Sequence, residues 1–199
     1  LTVLASLALD LARIKGQSHP ELSEVLEGMA RLPHDLEKSL KSAPETMATG
    51  AALESKKTIL FVGRGLMFPI ALEGALKLKE ITYRHAEGYA AGELKHGPIA
   101  LVDSNLAAIV LAPKDELFSK TLSNLEEIKS RGAMIIGVGE EENSEFAKLC
   151  DHYIGLPKVH PMLSPMLYVL PLQLLSYGLA KHLGVNIDKP RNLAKSVTV

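Results

Sequence analysis

The sequence is poor in cysteine and has almost no net charge. Cys150 is its one cysteine, which excludes a disulfide framework and a cysteine-built zinc site and fits a reduced, cytoplasmic setting. Lys and Arg number 22 against 23 Asp and Glu, a formal net charge of −1. The basic excess that displaces counterions from nucleic acid is therefore missing. None of the 7 histidines falls in a metal-binding spacing such as His-Glu-x-x-His. There is no internal repeat and no low-complexity segment. With 47% apolar and 23% charged residues, the composition is that of a globular chain and not of a disordered one. A secretory leader carries its positive charge ahead of its apolar run, whereas here the run Leu1–Leu9 comes first and Asp10, Arg13 and Lys15 follow. A length of 199 residues suits one domain with a small addition.

Residues 1–16 are expected to be the end of a helix that belongs to a preceding unit. From residue 17 to 50 the chain reads as cover helices. Leu22, Val25, Leu26, Met29 and Leu32 form an amphipathic stripe, opened by a Ser18/Glu21 capping box or by Pro20. Pro33 is expected to end it. Leu36, Leu40, Met47 and Leu53 mark a second helix or pair of turns. The period then changes. Short apolar runs without alternation at 58–62, 107–112 and 133–138, with a weaker one at 152–156, read as strands covered on both faces of a parallel sheet. Helical stretches at 68–83, 115–131 and 143–150 lie between them, and this alternation predicts a doubly wound α/β domain. Residues 161–180 carry no charge and reach the length of a membrane span. Pro161, Pro165 and Pro171 make them a poor span, so they are expected to form a helix buried against the sheet or in a subunit interface, ending near Gly184.

Four segments have the chemistry of a site. The turn Gly63-Arg64-Gly65 stands between a strand and a helix, where backbone N–H groups can meet an anion. It lacks the third glycine of a dinucleotide fingerprint, position 68 being Phe68, and the Gly-Lys-Ser/Thr of a P-loop. The plainer alternative is a tight turn that packs helix on strand. On the following helix, Glu73, Lys77 and Glu80 fall within about 60° of one another at 100° per residue. Leu72 and Leu76 flank them on one side, Ile70 and Ile81 on the other. So narrow a charged stripe either forms an internal ion-pair row or faces a polar pocket where a carboxylate beside a lysine can move protons. In Gly92-Glu93-Leu94-Lys95-His96-Gly97-Pro98, glycines and a proline hold His96 in a bent loop. Histidine exchanges protons near neutral pH, although a loop histidine more commonly serves as a surface group. At the C-terminus, Asp188 to Val199 is aperiodic; a lysine there is either solvated or folded into an apolar pocket as a free amine.

FVGRG at 61–65, ALEGALKLKEITYRHAEGYAAGELKHGP at 71–98 and DKPRNLAKSVTV at 188–199 together resemble the glucosamine-6-phosphate synthase family, and the resemblance spans nearly the whole chain. It implies a sugar isomerase (SIS) fold, a three-layer α/β sandwich with a five-stranded parallel sheet flanked by helices. It also implies a division into the end of a first SIS subdomain (1–16), a second SIS subdomain (17–187) and a catalytic tail (188–199). The family makes glucosamine 6-phosphate from fructose 6-phosphate and glutamine, using a glutaminase domain and two SIS subdomains. By the resemblance, Glu80 is the base that moves a proton between C1 and C2, and Lys77 is a cation beside it. His96 opens the sugar ring in the neighbouring subunit's site, which implies a homodimer. Lys195 forms a Schiff base with the open-chain ketone, and Ala194 lies near the sugar. No cofactor or metal, nucleic acid or membrane is implied. The family's Ser/Thr-rich phosphate loop and glutaminase cysteine are absent from this sequence, so the chain alone is expected not to turn over. A phosphosugar-sensing SIS domain is the competing expectation. Fold does not separate the two, but a sensor needs no Schiff-base lysine.

Overall fold

The computed structural model describes residues 1–17 and 21–193. Five parallel strands, β1 (Thr58–Gly63), β2 (Ala86–Ala90), β3 (Leu106–Leu111), β4 (Met134–Glu140) and β5 (His152–Leu156), form one sheet in the order β2-β1-β3-β4-β5. The apolar runs are strands because both faces are covered. Ile59 and Phe61, Ala107, Ile109 and Leu111, Ile136 and Val138, and Ile154 and Leu156 face one core. Leu60 and Val62, Ala108 and Val110, and Ile135 face the other. The first face is covered by α4 (Met67–Thr82) and α7 (Ser164–His182), with α3 (Ala43–Ala51) packed on α7. The second is covered by α5 (Phe118–Lys129), α6 (Ser144–Leu149) and the short turns at Ala91–His96 and Pro98–Leu101. Every sheet connection is a parallel crossover, so each helix runs back against its strand. The sheet thus has a carboxyl end, where β-to-α turns lie, and an amino end, where helices return.

Two expectations need correction. The weak fourth strand is in fact β5, and β2 over Ala86–Ala90 was unmarked. Its residues are small or polar and mostly half-buried, because β2 is an edge strand that pairs only with β1. Pro33 does not end a helix either: α2 runs from Leu22 to Leu40 through it. The missing N–H costs one intrahelical bond, and packing on both sides of the proline holds the helix together: Val25 and Leu32 before it are buried with Leu163 and Met166, and Leu36 beyond it packs against the same cluster. Ser18 and Pro20 lie outside the described residues.

The uncharged segment is α7, continuous with a turn at Pro161–Leu163. It is long and apolar enough to cross a membrane, and 61% of its apolar window is buried inside the fold, where Leu167, Tyr168, Leu172, Leu175 and Leu179 fill the first core. Gly184 follows it at φ 66°. The N-terminal α1 (Thr2–Ile14) buries no residue, and Val3 is 80% and Ile14 75% exposed.

Candidate functional site

Glu73, Lys77 and Glu80 project from α4 as the helical spacing predicts. Lys77 Nζ lies 2.8 Å from Glu80 Oε2 and 3.8 Å from Glu73 Oε1. The three side chains are 36%, 28% and 40% exposed for Lys77, Glu80 and Glu73, so the row is neither sealed nor fully solvated. Beneath it Ala71, Gly74, Ala75 and Leu78 pack into the core and fix the helix. The hydrogen bond from Lys77 to Glu80 raises the lysine above its ordinary pKa, against a smaller opposing effect of burial; the charges of Glu80 and Glu73 add to the rise. Lys77 is therefore held as a cation. A lysine that attacks carbonyls needs the opposite shift.

Helix α4 ends at Tyr83, which adopts a left-handed conformation at φ 58°, ψ 19° and donates its N–H to Lys79 O. The start of the C-terminal tail returns to this point. The Arg191 backbone N–H donates to Tyr83 Oη at 2.8 Å, and the Arg191 guanidinium lies 4.3 Å from the centre of the Tyr83 ring, a cation–π distance. Neither residue stood out in the sequence. The contact links positions 108 apart, and a left-handed tyrosine has no local signature.

His96 is placed elsewhere. It ends the short turn that follows β2 at the carboxyl end of the sheet, whereas Glu80 lies near the end of α4, which has run back to the amino end. From Met67 to Glu80 the helix rises about 20 Å. Within one chain the structure brings Lys77 and Glu80 together and leaves His96 apart. His96 Nδ1 is 2.8 Å from Glu93 Oε2, both exposed. Lys95 is 2.8 Å from Glu127 and ties the turn to α5. Gly97 follows at φ 143°, ψ −53°, a backbone open to glycine and to few other residues. Ala194 and Lys195 lie outside the described residues.

The Gly63-Arg64-Gly65 turn also lies at the carboxyl end. Its backbone is tight: a Cβ on Gly63 would come within 2.4 Å of Met67 O. Arg64 is half-buried and bonded across to α5. Its Nη2 donates to Asn124 Oδ1 of α5 at 2.7 Å and its Nε to the same oxygen at 3.3 Å, and its guanidinium lies against Gly92. Asn124 is buried. The turn fits the packing alternative, with its arginine as a brace. Burial, the dominant effect, pushes the Cys150 thiol up to about 12.

The SIS domain model matches residues 52–183, from the end of α3 to just past α7. Over its whole length the chain is 46% identical to the glutamine–fructose-6-phosphate aminotransferase (isomerizing) of Zymomonas mobilis and 48% identical to that of Agrobacterium fabrum. It spans 33% of the length of each. Among solved structures, the C-terminal domain of a glucosamine-fructose-6-phosphate aminotransferase from Francisella tularensis superposes with a TM-score of 0.87 at 38% identity, over 94% of this chain and 53% of that one. A glucosamine-6-phosphate deaminase from Thermotoga maritima superposes with a TM-score of 0.70 at 25% identity, over 100% of this chain and 57% of that one. The strand order, the two covered faces and the match over 132 residues agree: the chain belongs to the SIS domain family.

Proposed function

We propose that this chain supplies the isomerase half-site of an enzyme that converts fructose 6-phosphate and glutamine to glucosamine 6-phosphate and glutamate. The observation that carries the reading is the Lys77–Glu80 pair, a carboxylate and a lysine whose charged form it favours, 2.8 Å apart on a rigid, half-buried helix. Glu80 removes the C1 proton of the open-chain sugar imine and returns it at C2, turning a ketose imine into an aldose amine. Lys77 stabilises the oxygen on which charge develops as the proton leaves. Because Lys77 stays protonated, the Schiff base with the C2 ketone falls to another amine, that of Lys195 in the tail, with Ala194 beside the sugar. His96 opens the ring. Its distance from Glu80 within one chain supports service to a neighbouring subunit's site, hence a homodimer, in the cytoplasm. In this reading residues 17–187 are the second SIS subdomain, 1–16 the last helix of the first, and 188–199 the catalytic tail. The phosphate clamp and the ammonia source come from segments outside this sequence, so the 199 residues alone do not turn over.

The test splices the chain behind the upstream two thirds of the Zymomonas relative. Borohydride reduction in the presence of fructose 6-phosphate is expected to leave a sugar adduct on Lys195 that Lys195→Arg abolishes. A spliced enzyme that forms glucosamine 6-phosphate yet yields no adduct removes Lys195 from the mechanism. Synthesis of glucosamine 6-phosphate by the 199-residue chain alone refutes the half-site.

A further inference from the structure

We infer that Tyr83 is a positioning residue that anchors the root of the C-terminal tail beside Glu80. The inference rests on the proposed role of Lys195, and its first test is independent of that role. A bulky residue with φ near 58° is an outlier, and the position after a helix where it stands is the one most suited to glycine. A tyrosine kept in that conformation has something to hold, and two contacts meet on it. Its hydroxyl accepts the Arg191 N–H, and its ring lies under the Arg191 guanidinium. The backbone bond and the stacking together hold Arg191 against the end of α4.

The placement matters because of reach. Tyr83 is three residues beyond Glu80 at the amino end of the sheet. Three residues lie between Arg191 and Lys195, and the four steps from one to the other span at most about 14 Å when extended. If Lys195 has the proposed role, a pinned Arg191 shortens the tether between that amine and the end of α4, and a short tether raises effective concentration at the sugar. A tail freed at Arg191 searches a larger volume and reacts less often.

Amide hydrogen exchange on the 199-residue chain reads the anchor directly. Tyr83→Phe keeps the ring and removes the acceptor, and is expected to speed exchange at Arg191 by about three- to tenfold, the worth of one hydrogen bond. Tyr83→Gly removes both contacts and relieves the left-handed backbone. It is expected to speed exchange across 188–193 further without lowering the melting temperature. Arg191→Ala removes only the stacking and is expected to act between the two. A residue that merely caps α4 predicts instead that Tyr83→Gly leaves the tail protected, and that result overturns the inference. The borohydride experiment is then repeated on the spliced enzyme carrying Tyr83→Gly. Adduct on Lys195 that falls in step with tail protection, with the Michaelis constant for fructose 6-phosphate unchanged, supports positioning. Unchanged adduct with a freed tail refutes it. No adduct even with Tyr83 intact counts against the sugar chemistry and leaves the anchor to stand on exchange alone.

Discussion

Along α4 toward the amino end of the strands, Glu73, Lys77 and Glu80 form one partly exposed ion-pair row, and just beyond it Tyr83 and Arg191 hold each other. At the carboxyl end, Arg64 is spent on a buried asparagine and on Gly92, and His96 stands in solvent paired with Glu93. In open α/β sheets ligands ordinarily sit beyond the carboxyl ends of the strands, in the crevice where strand order reverses. Here that crevice lies between β1 and β3, and an arginine brace closes one of its turns. The Lys77–Glu80 pair lies toward the opposite end. The difference teaches that a helix, and not only the turns at the crevice, can present charged groups in this fold, and the proposed half-site uses that helix. Such a site then depends on another chain or segment for its remaining groups.

The sharpest way to break this contrast is to disable the amino end. In the spliced enzyme, Glu80→Gln keeps shape and removes the base, and is expected to slow exchange of the C1 proton with solvent by about 10²- to 10⁴-fold, the usual contribution of a positioned proton-transfer group. Binding of fructose 6-phosphate persists. Full exchange in Glu80→Gln would move the chemistry off α4. Next comes the separation of the two ends. If His96 of one subunit serves Glu80 of the other, refolding equal amounts of Glu80→Gln and His96→Asn enzymes regenerates one intact site in each mixed dimer. Activity then returns to about a quarter of the unmutated level, since half the dimers are mixed and each has one working site. No recovery places both residues in one subunit's site, against the geometry of the single chain.

The carboxyl end is expected to answer in stability. Arg64→Ala loses both hydrogen bonds to Asn124 and leaves a buried amide oxygen short of its donor. A cost of about 1.5–3 kcal/mol follows for bonds from a charged donor, read as a lower urea midpoint. Loss of sugar binding at unchanged stability would instead make this turn an anion site.

The two ends also differ in how far the sequence discloses them. Glu73, Lys77 and Glu80 are neighbours through helical period alone, so their spacing foretold the row, and the fully buried strands showed as unbroken apolar runs. What stayed hidden was non-local or weakly hydrophobic. The Arg64–Asn124 brace joins residues 60 apart and the Tyr83–Arg191 anchor residues 108 apart; no window along the chain contains either. Strand β2 was hidden because an edge strand has one pairing partner and needs little apolar surface. The continuation of α2 through Pro33 was hidden because burial against α7, a tertiary effect, offsets a local penalty.

The smallest expected effect separates Glu73 from Glu80 within the amino end itself. Both are carboxylates facing Lys77, and spacing alone could not rank them. Glu80 makes the hydrogen bond; Glu73 sits 3.8 Å away and is the weakest of the influences that raise Lys77. All three side chains keep roughly a third of their surface in water, so screening discounts the charges heavily. Glu73→Gln is therefore expected to cost only about 0.2–0.5 kcal/mol of stability, the range of an i,i+4 pair, and less at high salt. Lys77 is raised above 10.5 in the folded state. Its contribution is complete below that value and is lost as pH rises through the higher folded one. The cost of Glu73→Gln should thus be level between pH 7 and 9 and vanish once Lys77 deprotonates. Proton exchange at C1 is expected to continue in Glu73→Gln, because a carboxylate that only adds to a field can be dispensed with, whereas one that receives the proton cannot. If Glu73→Gln stopped exchange as completely as Glu80→Gln, the row would be acting as one charged unit, and the base would have to be assigned to the pair.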